Sequence, residues 1–429
     1  MARVVLGMIG LGTVGSGVVT LLAQHKHLHL KKIAVRDLAK ERGAKPKCPI
    51  TDDVSEIIDD PEIEVLVEVM GGEEPALSII RRALEKGKHV VTANKEVLAK
   101  HGPGLFQLAR EKGVTIFFEA SVAGGIPLIS TIQRGLGANQ LYAVTGILNG
   151  TTNFILSSME ERGMSYNSAL AEAQRLGFAE ADPASDVEGY DVAYKLSILA
   201  ALSFHRFVKP ADIFREGITA VSPEDLALAR EFGYRIKLVG SVRGKSGNKD
   251  AADGDALGVR VHPTLVPLSH PLAAVSGSNN CILVSGDAVG ELTLVGPGAG
   301  SLPTASAVVG DIINLESALS LPDFASYFQA DVKSQWAQIS SPDLWTCPYF
   351  LRLSVDDTPG VIGTIGTIFG NHKISIQSII QRGVENGRAT IVILTHEVSD
   401  GDMNQALADL KKCHFLENVA SAIRIYKPA

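Results

Sequence analysis

The stretch FAEADPASDVEGYDVAYKLSIL, Phe178 to Leu199, carries five carboxylates and then one amine. The carboxylates are Glu180, Asp182, Asp186, Glu188 and Asp191, and the amine is Lys195. Asp191 and Lys195 stand four apart, so on a helix they share one face. The turns after Lys195 are apolar nearly all round, which places the lysine where a helix goes under and needs an acidic partner. Burial and neighbours move a lysine pKa readily, and that suits the amine to proton transfer. The upstream carboxylates suit a substrate ammonium. An ion pair on a solvated helix face beside an acidic loop is the alternative reading of the same spacing.

Other residues point to a nucleotide. Gly10-Leu11-Gly12-Thr13-Val14-Gly15 is GxGxxG between an apolar run and a helical pattern. Gly10 allows the tight turn, Gly12 lets the backbone approach a pyrophosphate, and Gly15 lets helix and strand pack closely. The free N–H groups of the helix start face the anion. Arg36 and Asp37 end the next strand-like run, so an NADP 2′-phosphate or NAD ribose hydroxyls are both accommodated, with Arg36 favouring NADP. Thr92 and Lys95 follow a further strand, at the end of a parallel sheet where ligands bind. A lysine opening a helix in solvent is the other reading. EASVAGGIP (119–127) offers Glu119 and exposed carbonyls to a monovalent cation, or is a simple turn. Asn149, Gly150 and Thr151 open a helix, which suits a substrate carboxylate or ordinary capping. His25, His27 and His29 lack an accompanying Cys, Asp or Glu set and read as a solvated helix end.

The elements that must position these groups follow from periodicity. RVVLGMIG, LKKIAVRD, IEVLVEVMGG, HVVTANK and VTIFFEAS are strand-like runs separated by helical patterns, which predicts an α/β fold with a doubly wound parallel sheet. From about Gly137 the pattern changes to a strand followed mainly by helices, then to strands about a polar, glycine-rich tip at 244–257. A helix, PTASAVVGDIINLES, follows. Residues 322–348 are irregular. The tail then alternates strand, helix, strand, strand, helix, strand, a βαββαβ module.

The totals agree with this. The chain has 429 residues, enough for two to four domains, with 45% hydrophobic and 20% charged residues. A net charge of -7 gives no footprint for nucleic acid. The 4 cysteines are scattered without CxxC and read as reduced thiols of a cytoplasmic protein. No apolar run of membrane-spanning length occurs.

Taken in order, the glycine loop, TANK, EASVAGGIP, LNGTTNFIL, DVAYKLSIL and GPGAGSLPTASAVVGD closely resemble the homoserine dehydrogenase family over about 1–325. The tail resembles an ACT domain, with DDTPGVIG (356–363) at its ligand loop. The resemblance implies a Rossmann-type dinucleotide-binding domain at 1–136, completed by about 300–325, and an α+β substrate-binding and dimerisation domain at 137–299. A linker at 326–348 and an ACT regulatory domain at 349–429 follow. It implies reversible hydride transfer between NADP or NAD and a small amino-acid substrate, L-aspartate 4-semialdehyde or L-homoserine. Lys195 then moves the proton, Asp191 orients it, and Lys95 assists electrostatically or anchors the cofactor. Glu180 receives the substrate ammonium and Asp186 assists. Gly296, Gly298, Ala299 and Gly300 belong to a loop returning to the cofactor. Carbonyls of Val122, Gly124 and Ile126 with Glu119 hold Na+ or K+. The tail implies an amino-acid effector, L-threonine, near Asp357, Gly360, Val361 and Ile362, in a homodimer or homotetramer.

Overall fold

The computed structural model describes residues 4–244, 256–319, 335–385 and 387–428. In chain order the first elements are β1 (Val5–Ile9), α1 (Thr13–Leu22), β2 (His29–Ala34), β3 (Ile50–Thr51), α2 (Ser55–Ile58), β4 (Val65–Glu68), α3 (Ala76–Glu85), β5 (His89–Thr92), α4 (Lys95–Lys112), β6 (Ile116–Phe117) and α5 (Leu128–Ser130). Next come β7 (Leu141–Ile147), α6 (Gly150–Arg162), α7 (Tyr166–Arg175), α8 (Ala184–Val187), α9 (Tyr190–Phe204), β8 (Phe214–Arg215), α10 (Pro223–Glu231), β9 (Tyr234–Arg243), β10 (Gly258–Pro267), α11 (Pro271–Ala274), β11 (Asn279–Gly286), β12 (Gly290–Pro297) and α12 (Ser301–Leu319). The tail holds β13 (Thr346–Cys347), β14 (Tyr349–Asp356), α13 (Val361–Asn371), β15 (Ile376–Glu385), β16 (Arg388–Thr395), β17 (Val398–Ser399), α14 (Asp400–Leu410) and β18 (Leu416–Ile425).

The chain forms two units. One joins Met1–Leu141, Ala193–Asp212 and Gly286–Ala337; the other joins Tyr142–Val192, Ile213–Ser285 and Gln338–Ala429. Helix α9 belongs to both, because the division falls between Val192 and Ala193.

The first unit holds a parallel sheet of order β3-β2-β1-β4-β5-β6. Its strands are covered on both faces, so β4 reads as a continuous apolar run and is buried throughout. The strand order reverses between β1 and β4, the point at which sheets of this kind bind their ligands. Helix α12 comes from far along the sequence. Its Val308, Ile312 and Leu315 nevertheless join Leu6, Met8, Val18 and Val67 in one core. Gly17 of α1 makes that approach possible: a Cβ there would lie 2.6 Å from the Ser301 carbonyl oxygen.

The second unit holds a mixed sheet whose path runs β11-β7-β9-β10-β18-β14-β16-β15, with β8 beside β10. Strands β9 and β10 form a long antiparallel hairpin from Tyr234↔Pro267 to Arg243↔Gly258. Residues 245–255, at its polar tip, lie outside the described residues. From β14 to β18 the expected βαββαβ order is present, with sheet order β18-β14-β16-β15. Its core combines Leu351, Leu353 and Val355 with Ile365, Phe369, Met403 and Leu410 from the two helices.

This module does not hang from a tether. Strand β18 pairs in parallel with β10 through Thr264↔Arg424 and Leu265↔Ile425. Arg352 of β14 donates from Nε to Asp225 (2.8 Å) and from Nη2 to Ser222 Oγ (3.0 Å), both at the start of α10. Of the segment read as a linker at 326–348, residues 326–334 lie outside the described residues. The remainder is packed: Ile339 bridges to Leu257, and Trp345, buried, stacks under Arg260 at 3.8 Å. The packing of this remainder has a simple cause. Sequence shows composition, and a segment of irregular composition still packs where its few aromatic and aliphatic side chains find partners.

Candidate active site

The cofactor end is built on the turn after β1. Gly10 has φ +103°, the left-handed region, and a Cβ there would lie 2.7 Å from the Val69 carbonyl oxygen. A Cβ on Gly15 would lie 2.4 Å from the Gly10 carbonyl oxygen, so α1 rests directly on the turn. Gly12, by contrast, faces open space. It caps α1 without a side-chain bond, and Gly12 and Thr13 are exposed. Exposed helix-start N–H groups beside a glycine with nothing in its way fit a pyrophosphate. Val14 is half-buried beside them. The Ser301 hydroxyl donates to the Thr13 carbonyl oxygen at 2.7 Å and ties α12 to the same turn. Arg36 is exposed beyond β2, while Asp37 spends Oδ1 on the Ala39 N–H at 2.9 Å.

The ends of β4 and β5 are joined by a buried carboxylate that the sequence reading missed. Glu68 accepts the Thr92 hydroxyl at 2.6 Å and the Met70 N–H at 2.9 Å. Burial pushes its pKa up, and bonds from Thr92, Met70, Gly71 and Asn94 oppose the rise. Thr92 is fully buried, and its oxygen also accepts the Asn94 N–H at 2.9 Å. Its hydroxyl is thereby committed within the protein and shapes the loop from below. Asn94 in turn caps α4, accepting the Val97 N–H at 3.1 Å, so the chain fixes the start of the helix that opens with Lys95.

Helix α9 packs on α4 within this unit. The Ser197 hydroxyl donates to the Ala99 carbonyl oxygen at 3.4 Å, and Lys100 lies over the Tyr194 ring at 5.6 Å. Lys195 is 8% exposed and Asp191 2%. That burial removes the solvated surface pair as a reading of their spacing.

The amino-acid end belongs to the second unit. Asn149 caps α6 by accepting the Thr152 N–H at 2.8 Å, which turns its amide nitrogen outward. That nitrogen donates to Asp186 Oδ1 at 2.7 Å and to Asp191 Oδ2 at 2.9 Å. Two carboxylates held on one amide repel each other and attract a cation. Gly150 allows α6 to meet Ser278, whose carbonyl oxygen lies 2.5 Å from where a Cβ would stand. The Thr151 hydroxyl donates to the Phe178 carbonyl oxygen at 2.7 Å, holding the acidic loop. Glu180 lies exposed on that loop, where its backbone carbonyl oxygen accepts Gln174 Nε2 at 3.0 Å. Beneath α6, Lys237 is 1% exposed and donates to Asn153 Oδ1 (2.9 Å) and to the Val275 carbonyl oxygen (2.7 Å). Burial lowers its pKa to about 8. Sequence gave no signal for it, because β9 is buried on both faces.

At the candidate cation turn, Ala123 (φ 60°) and Gly124 (φ 55°) bend the backbone sharply. Gly124 packs against the Gly298 carbonyl oxygen, and the Gly125 N–H donates to the Pro297 carbonyl oxygen at 3.1 Å. The Ile126 carbonyl oxygen accepts the Leu128 N–H at 2.7 Å. Glu119 accepts the Ile129 and Ser130 N–H groups at 2.7 and 2.8 Å, and its own N–H donates to buried Asp311 at 2.8 Å. Val122 is fully buried, and Gly300 has φ +128°. Among the described residues no group of three or more His, Cys, Asp or Glu could hold a metal. His27 instead pairs with Glu316 at 3.2 Å. In the tail, Asp357 accepts Gln381 Nε2 at 2.8 Å, Gly360 caps α13 without a side-chain bond, Val361 enters the core and Ile362 is 45% exposed.

Comparison with known proteins agrees along the whole chain. Residues 127–313 match the family model described as homoserine dehydrogenase. Residues 10–119 match its NAD binding domain, and 349–415 match the ACT domain. A homoserine dehydrogenase of Synechocystis is 42% identical, covering 98% of this chain and 99% of the relative. One of Bacillus subtilis is 40% identical over 99% of both chains. Among solved structures, a homoserine dehydrogenase from Thiobacillus denitrificans aligns with TM-score 0.90 at 40% identity, covering 99% of this chain and 98% of that one. A hyperthermophilic archaeal homoserine dehydrogenase in complex with NADPH aligns with TM-score 0.61 at 27% identity, covering 75% of this chain and 99% of that one.

Proposed function

Since the chain belongs to the homoserine dehydrogenase family, and is an NAD(P)-dependent oxidoreductase with a C-terminal ACT domain, we propose how its residues perform the interconversion of L-aspartate 4-semialdehyde and L-homoserine. The observation that carries this reading is the Asn149 amide gathering Asp186 and Asp191, one helical turn before buried Lys195. The nicotinamide ring, when bound, supplies or accepts the hydride. Gly10, Gly12, Thr13, Val14 and Gly15 hold the pyrophosphate, with Arg36 at the 2′-phosphate of NADP and Gly300 closing the loop. Lys195 gives its proton to the carbonyl oxygen during reduction and takes it back in reverse. Asp191 stabilises the ammonium form of Lys195 and orients it, and Lys95 adds positive charge. Asp186, Asn149, Gly150, Thr151 and the exposed side chain of Glu180 receive the amino acid's charged groups. Thr92 contributes by shaping the loop.

The same reading gives the carbonyls of Val122, Gly124 and Ile126, with Glu119, a bound Na+ or K+. It places the enzyme in threonine, methionine and isoleucine biosynthesis, as a cytoplasmic homodimer or homotetramer whose ACT domain takes L-threonine near Asp357, Gly360, Val361 and Ile362. The four cysteines are free and support a reducing location, and no helix among the described residues is long and apolar enough to cross a membrane. One assay tests the core of it. NADPH oxidation with L-aspartate 4-semialdehyde should proceed, and L-threonine should lower its rate. No turnover with either coenzyme overturns the activity; turnover indifferent to threonine overturns only the effector.

A further inference from the structure

Helix α8 is a single turn, too short to hold its own position, yet it carries Asp186. Its last carbonyl, on Val187, accepts the Ile218 N–H at 2.9 Å. Gly217 presses on the same spot: a Cβ there would lie 2.3 Å from the Val187 carbonyl oxygen and 2.8 Å from Glu188 Cα. The segment from Phe214 to Ile218 therefore sets where α8 sits. It also meets the start of α9, because the Arg215 guanidinium lies 3.9 Å over the ring of Tyr190, the residue before Asp191.

That segment is anchored in turn. Its β8 pairs with β10, and the Glu216 N–H donates to the Val261 carbonyl oxygen at 2.9 Å. The Glu216 side chain accepts Arg424 Nη1 at 2.8 Å. Arg424 lies in β18 of the ACT domain and is 4% exposed. It donates from Nε (2.9 Å) and Nη2 (2.8 Å) to Asp400 Oδ2, while Asp400 Oδ1 takes the Tyr349 hydroxyl at 2.6 Å. A planar guanidinium fixed by a buried carboxylate presents its remaining N–H in one direction, which a flexible ammonium does not do.

We propose that Arg424 is a positioning residue for the amino-acid site: through Glu216 it holds the segment that seats α8 and the start of α9, and so places Asp186 and Asp191. The ACT domain thereby completes the substrate site even without effector. The proposal rests on the homoserine reading above.

Two full-length variants test it, because Arg424→Lys risks stability by disturbing buried Asp400, whereas Glu216 is half-exposed and Glu216→Gln is not expected to unfold the protein. Each should raise KM for L-homoserine roughly 3- to 30-fold with KM for NADP+ nearly unchanged. The double variant should be no worse than Arg424→Lys alone, since both remove one link. A purely structural role lowers the melting temperature and the active fraction and leaves KM where it was. An unchanged KM for L-homoserine in both variants, or additive effects, overturns the proposal. If the wild-type protein does not oxidise L-homoserine, the activity reading fails. Amide exchange of Glu216→Gln then decides this one: faster exchange at Ile218 and along 184–191 supports it, and unchanged exchange sinks it.

Discussion

At Lys195 an amine sits almost out of water one turn beyond Asp191, and in the proposed mechanism truncating it removes the proton donor. Lys195→Ala should cut kcat by about 10²–10⁴-fold with little change in NADPH affinity, measured by steady-state kinetics and by fluorescence titration. Near-normal turnover rules Lys195 out as the acid. Lys237 invites a different measurement. Its folded pKa of about 8 lies below the 10.5 of a free lysine. The native state therefore holds fewer protons than the unfolded chain between those values. The penalty for charging it is complete below pH 8 and fades as pH rises toward 10.5. Compared with Lys237→Met, the wild type should gain stability between pH 8 and pH 10, by at most ~1.4 kcal/mol per pH unit. Urea denaturation at both pH values reads this, and a pH-independent gap between the two proteins refutes it. The burial of Lys195 was legible in the sequence because its signal is local, a lysine at the start of an apolar run. Lys237 and Glu68 were not, since each is defined by partners from distant strands and loops.

The helices and strands divide along the same line. Strand, glycine turn and helix at 5–22 follow from adjacent residues, and so does the β9–β10 hairpin. The seating of α12 on α1 depends on what faces Gly17, and the local pattern does not carry that information. Gly17→Ala should destabilise the protein by ~1–3 kcal/mol from overpacking, offset in part by the ~1 kcal/mol that alanine gains over glycine in a helix. The added methyl meets the Ser301 carbonyl oxygen at 2.6 Å and Ala305 Cβ at 2.8 Å. A variant as stable as wild type in urea would mean that the two helices separate freely there. The pairing of β18 with β10 is likewise invisible in sequence: each strand is ordinary by itself, and the two meet from positions more than 150 residues apart.

For the molecule as a whole, that pairing changes the expectation for a shortened chain. A tail joined only by a linker could be removed cleanly. Cutting after residue 345 instead strips β18 from β10, leaves Asp225 without Arg352, and takes Ile425 and the Tyr426 N–H away from Leu265. The shortened protein should melt lower and bind L-homoserine more weakly, as calorimetry and steady-state kinetics will show. A shortened enzyme with unaltered melting and KM would mean that the catalytic part stands alone.

The route of the chain has a practical side as well. It passes from one unit to the other five times, at 141/142, 192/193, 212/213, 285/286 and 337/338, and the second passage falls inside α9. Swapping coenzyme specificity by grafting a relative's first 141 residues therefore replaces only part of that unit and leaves the stretch from Ala193 to Asp212 facing foreign neighbours. A chimera with matched surfaces needs donor sequence from at least three separate stretches, and its seam near residue 192 must preserve an unbroken helical turn from Asp191 to Lys195.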